Sequence, residues 1–203
     1  MSLTLNSILF RLCTGELTSS KLPAIIDLGD FVHEFDDLWE RSIRDIEQGI
    51  VVECGRVLVL DQAGTISLVN TTTGEANQVE LNLEIETNKL FVGTFHTHPH
   101  VSGVRGAAFG VCDFTLAINS KSALTLVHSG RYLYALVRTE FTPMNVDIDS
   151  LSNEFDEIFI HARAQGYTTL ESLLETNLQL CEQYGLAFYY AEASGLLQEI
   201  YRP

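Results

Sequence analysis

The hydrophobic positions change period several times along the chain. Phe31, Phe35, Leu38 and Trp39 recur at helical spacing behind Asp30, a suitable N-cap. Ile43 and Ile46 extend that stripe toward Gln48, and Gly49 ends it, so one helix is predicted there. Residues 50–60 form a β-branched run and predict a strand. Asp61 to Gly64 predicts a turn, 65–70 a strand and 71–77 a loop. Residues 79–85 alternate apolar and polar, which predicts a half-buried strand. Residues 90–98 predict another strand, stopped by Pro99, and the Gly-rich stretch 100–110 a loop. A short helix over 113–119 is followed by strands at 123–128 and 132–138, joined as a hairpin around Ser129-Gly130. Beyond Pro143 the period becomes helical again. Phe155, Ile158, Phe159 and Ala162 mark a helix over 152–165 with Gly166 as its stop. Thr168 and Glu171 read as a capping box for a helix running to Tyr184, stopped by Gly185, with Leu170, Leu173, Leu174 and Cys181 as its buried stripe. Residues 188–190 predict a last short strand. This order predicts an α/β (α+β) chain whose mostly hairpin-linked sheet is flanked by helices.

Composition narrows the classes. Of 203 residues, 46% are apolar and 19% charged, a globular balance that excludes a disordered chain. The formal charge of −15 argues against nucleic acid or an anionic membrane as partner, since both would repel it. No apolar run reaches the roughly 20 residues that span a bilayer, and the first residues lack the basic start of a signal peptide. Cys13, Cys54, Cys112 and Cys181 are scattered with no CxxC pair, which suits a reducing compartment; a cytoplasmic location is expected. Between Phe91 and Thr139 four bases (Arg105, Lys121, Arg131, Arg138) face one acid, Asp113, so that segment is +3 and the flanks together −18.

That central segment holds Phe91-Val-Gly-Thr-Phe-His-Thr-His-Pro-His100. In a strand, side chains at i and i+2 share a face, so His96 and His98 project together at the strand's end. Two converging imidazoles are the start of a zinc site. A catalytic zinc takes a third protein ligand and keeps one position open, and Asp113, at the start of a helix whose dipole favours its ionised form, is the nearby acid. Zinc held by two neutral histidines and one carboxylate keeps a net positive charge and remains a good Lewis acid. Glu53 stands within an apolar run, where a carboxylate is costly unless it is paired or functional.

Glu53, then His96-Thr97-His98-Pro99, then Asp113 ahead of a short helix, together resemble the JAMM (JAB/MPN) zinc metalloprotease family. The likeness runs from about Asp30 to Arg138. It implies an MPN/JAB-like (cytidine-deaminase-like) mixed sheet flanked by helices over residues 1–144, with a C-terminal helical extension over 145–203 packed on the same domain. It further implies Zn²⁺ on His96, His98 and Asp113, and Glu53 as general base. The implied activity is hydrolysis of an amide or isopeptide bond at the C-terminus of ubiquitin or a ubiquitin-like protein, with the C-terminal helices available to a protein partner. Two departures stand out. The family's serine falls at Gly110, and the spacing from His98 to Asp113 is four residues longer than the family pattern. The missing hydroxyl bears on oxyanion support, for which Gly110 and Ser102 in the longer loop are the candidates. Three functions are thus open: the zinc isopeptidase, a catalytically weakened scaffold or binding module, and a metal hydrolase of small molecules. A cysteine mechanism through Cys54 or Cys112 has no Cys–His spacing behind it.

Overall fold

The structure, a computed structural model, describes residues 2–100, 108–130, 132–192 and 195–203. Among these residues nine strands form one mixed sheet and five α-helices cover its two faces. The chain opens with β1 (Ser2–Thr4) and α1 (Leu5–Cys13), followed by β2 (Ile25–Asp27), parallel to β1. Next come α2 (Phe31–Ser42), β3 (Cys54–Asp61), β4 (Ile66–Thr73), β5 (Lys89–Thr97) and α3 (Val111–Asn119). The chain finishes with β6 (Leu124–His128), β7 (Tyr132–Arg138), α4 (Ile148–Ala164), α5 (Thr169–Tyr184), β8 (Leu186–Glu192) and β9 (Leu196–Tyr201). The spatial order is β1-β2-β9-β8-β7-β6-β5-β3-β4.

The central strands are buried on both faces, so their side chains divide between two cores with period two. On β7, Leu133, Ala135 and Val137 join one core, whereas Tyr134 and Leu136 join the other. On β8, Ala187 and Tyr189 oppose Leu186 and Phe188 in the same way. The first core is closed by Ile8 and Leu9 of α1 and by Phe35 and Leu38 of α2. The second is closed by Phe114 and Ile118 of α3, Leu151 and Phe155 of α4, and Leu180 and Cys181 of α5. Strands β5 and β6 are parallel, and α3 is the crossover that this direction requires. Gly93 permits their close approach, because a Cβ there would stand 2.5 Å from the Leu124 carbonyl oxygen.

Several predicted elements differ from the observed ones. The predicted helix to Gln48 stops at Ser42, and 46–48 is a separate 3₁₀ turn. The Ser42 carbonyl accepts the Val52 N–H, turning the chain toward β3, and Ile46 and Ile50 stay exposed. Asp30 makes no side-chain cap. The strand predicted from residue 50 begins at Cys54. Residues 79–85 form no strand, because side chains take their backbone groups. Asn70 Nδ2 donates to the carbonyls of Asn82 and Glu84, and Asn82 Oδ1 accepts the Glu84 N–H. The buried face of α5 runs through Ser172, Thr176, Asn177, Leu180 and Cys181, so Cys181 is buried as predicted while Leu170, Leu173 and Leu174 are only partly buried. The segment after residue 144 contains a strand pair as well as two helices, since β8 continues the sheet from β7 and β9 pairs with β2. No helix among the described residues is long and apolar enough to cross a membrane.

Candidate metal centre

The parallel pair β5–β6 ends where the chain leaves β5 for α3, and the candidate ligands collect at that end. His96 and Thr94 lie on the α3 face of β5, while Phe95 enters the opposite core. Antiparallel β3 brings its first residues to the same place, with Gly55 directly opposite His96. Residues two apart share a face, so Glu53 is carried to the His96 side and Cys54 to the opposite core. Glu53 precedes the regular ladder. Its N–H donates to the Glu75 carbonyl and its C=O accepts from Gly74. A shift of register between Gly55 and Val57 follows, and such irregularities re-aim side chains beside functional sites.

Asp113 comes from the first turn of α3. Its N–H donates to the Gly110 carbonyl, and its Oδ2 accepts the Gly110 N–H at 2.7 Å. Glycine has no hydroxyl to return a cap to Asp113, so only the carboxylate half of a capping box is made. The other carboxylate oxygen, Oδ1, lies 2.9 Å from His96 Nε2, and Oδ2 lies 3.6 Å from His98 Nε2. The two Nε2 atoms are 3.0 Å apart. Three donor atoms, one per residue, fall within 4.8 Å of one another.

This arrangement fits a small dication. A tetrahedral ion with bonds near 2.05 Å separates its ligand atoms by roughly 3.3 Å. The two imidazole nitrogens are 3.0 Å apart, and one oxygen of Asp113 lies 2.9 Å from His96 while the other lies 3.6 Å from His98, so with one atom per residue the set stays within 4.8 Å, close enough to converge on one ion. Both histidines turn Nε2 inward, which leaves Nδ1 of His96 to carry the ring's other role. That Nδ1 is buried without a hydrogen-bond partner, as are the hydroxyls of Thr94 and its neighbour Thr125 on the same sheet face.

The electrostatics follow from burial and proximity. Burial works to raise the Asp113 carboxyl, but His96, His98 and the Gly110 N–H outweigh it and hold the group at about 2. Burial works to lower His96, and the adjacent Asp113 carboxylate overcomes it and moves the group up. Glu53 is 8% exposed. Burial, with Asp113 adding to it and His96 opposing, pushes its carboxyl up to about 7.

The structure therefore brings together Glu53, His96, His98 and Asp113. Gly110 sits beside them as the residue that holds Asp113, its N–H committed to that carboxylate. Ser102 lies outside the described residues. Cys54 is buried in the opposite core, and Cys112, next to Asp113, is exposed. Two positions did not stand out in the sequence. Thr97, between the histidines, accepts the Cys54 N–H at 2.9 Å and meets the Ser42 hydroxyl, tying β5 to β3 and α2. Asn177 of α5 bonds both backbone groups of Phe109, one residue before Gly110. A polar residue within a helical stripe is the signal that marks Asn177. Thr97 carries no signal beyond its place inside HxH. Compared with protein-family models, with curated proteins and with solved structures, the chain matches none.

Proposed function

We propose that the chain is a zinc-dependent isopeptidase or peptidase of the JAMM type, built on an MPN/JAB-like fold and cleaving at the C-terminus of ubiquitin or a ubiquitin-like protein. The observation that carries this reading is a buried carboxylate, Glu53, on the same sheet face as three converging metal-type donors. His96, His98 and Asp113 would hold the ion. Bound there, Zn²⁺ would supply Lewis acidity toward a scissile carbonyl and would lower the pKa of a water to about 7. Glu53 takes the attacking water's proton and delivers it to the leaving amine nitrogen as the C–N bond breaks and a C–O bond forms. The Gly110 N–H holds Asp113 ionised and oriented through this cycle.

The small side chain at Gly110 favours one second reading, a weakened relative that binds without cleaving, since no hydroxyl stands there to support an oxyanion. Incubating the zinc-loaded chain with linear and isopeptide-linked ubiquitin-like fusions separates the two. Cleavage that is abolished by a chelator and by Glu53→Gln is expected. Tight binding of the fusion without cleavage would replace the enzyme by the binding module.

A further inference from the structure

We infer that Asn177 is a positioning residue for the metal ligand Asp113, so that helix α5 belongs to the metal centre; this rests on the zinc reading above. Asn177 is fully buried, in the interior of a 16-residue helix. A carboxamide there is a poor helix former and costs free energy unless its polar atoms are bonded. Both are. Oδ1 accepts the Phe109 N–H at 2.9 Å, and Nδ2 donates to the Phe109 carbonyl at 2.9 Å. The side chain thus does for Phe109 what a neighbouring strand would do, across 68 residues of sequence. Because an N–H and a C=O face it, only one orientation of the amide satisfies both.

The next peptide transmits this to the ligand. Phe109 is held by its backbone and also by its ring, which packs on Phe114, Tyr134 and Phe188 with centroids 6.1, 6.5 and 6.0 Å away. Gly110 follows with no side chain to anchor its own peptide, yet its N–H must meet Asp113 Oδ2 at 2.7 Å while Oδ1 faces His96. Fixing Phe109 therefore fixes the direction of the Gly110 N–H and, through it, the rotation of the carboxylate. Without Asn177, two buried backbone groups lose their partners, the 109–110 peptide turns to find others, and Asp113 loses its clamp. Partners that orient metal ligands typically account for 10–100-fold in metal affinity.

The test is zinc affinity of the full chain, by competition with a chelating dye, for wild type, Asn177→Ala and Leu180→Ala. Leu180 is a fully buried residue of the same helix, so its truncation weakens the packing of α5 and leaves the two bonds to Phe109 in place. Asn177→Ala is expected to bind zinc about 10–100-fold more weakly, and Leu180→Ala within about threefold of wild type. The zinc-induced rise in melting temperature should shrink in the first variant and persist in the second. Equal affinities in wild type and Asn177→Ala, or equal losses in both variants, would overturn the inference and leave the zinc reading standing. A wild-type chain that takes up no zinc would overturn both. Should Asn177→Ala fail to fold, Asn177→Asp, which keeps the acceptor for the Phe109 N–H, is read by the same criteria.

Discussion

Replacing Glu53 by Gln isolates the cost of placing a carboxylate beside the cluster. Burial raises its pKa from 4.5 to about 7, with Asp113 adding and His96 opposing. Because the folded value lies above the unfolded one, the stability linked to this group is fully present below about pH 4.5. It is lost as pH rises through about 7, where the native state must hold a charge that the unfolded chain would solvate. The shift corresponds to at most about 3 kcal/mol, and solvent at the open side of the residue reduces this to about 2. Glutamine keeps the shape and removes the titration. The metal-free Glu53→Gln chain should therefore equal wild type near pH 4 and exceed it by about 2 kcal/mol above pH 7. Urea unfolding followed by circular dichroism, with chelator present, measures the difference across that range. A difference that stays flat with pH, or wild type being the more stable at pH 8, would refute the assignment of Glu53 as a desolvated acid. On a working substrate the same variant should lose about 10²–10⁴ in turnover, as removal of a general base does.

Two further substitutions probe the frame around the cluster. Gly110 has φ −95°, and an added Cβ meets only Asp113 Oδ2, at 3.7 Å, so Gly110→Ser should fold, gain a few tenths of a kcal/mol from capping α3, and keep or raise turnover on a ubiquitin-like fusion. Unfolding of that variant at temperatures where wild type is native would refute this account of the loop. Thr97→Val removes the acceptor of the buried Cys54 N–H and the partner of Ser42, and should cost about 2–3 kcal/mol in urea unfolding, whereas Thr97→Ser should stay within about 1.

The legible parts of this molecule are those whose cause is local. Period-two alternation placed His96 and His98 on one face because a strand admits no other arrangement. The capping box at Thr168 was readable because Thr168 Oγ1 accepts the Glu171 N–H at 3.3 Å and Glu171 returns a bond of 2.8 Å to the Thr168 N–H. Glu53 stood out as a charge in an apolar run. Helix α1 carries its own signal, with Thr4 accepting from the Ser7 N–H ahead of the buried Leu5, Ile8 and Leu9. Other features depend on distant partners and left little local trace. The segment at 79–85 alternates like a strand, but Asn70 reaches across to take its carbonyls. Asn177 and Phe109 are joined by folding alone. Strand β9 alternates weakly and finds its place through β2, near the other end of the chain. The same dependence explains α5, whose buried face includes small polar residues that an apolar periodicity does not mark. Thr176 returns its hydroxyl to the Ser172 carbonyl and Asn177 spends its amide on Phe109, so the part of this face ahead of Leu180 is buried although its residues are polar.

The measurement that bears most directly on the central claim is the zinc content of the purified chain, by elemental analysis, for wild type and His98→Ala. His98 supplies one of the three converging donors, and its Nε2 lies 3.0 Å from that of His96. The account predicts one zinc per wild-type chain and a near-complete loss of metal in the variant, with the fold retained. Undiminished zinc in His98→Ala, or a wild-type chain that takes up none when zinc is offered, would contradict it.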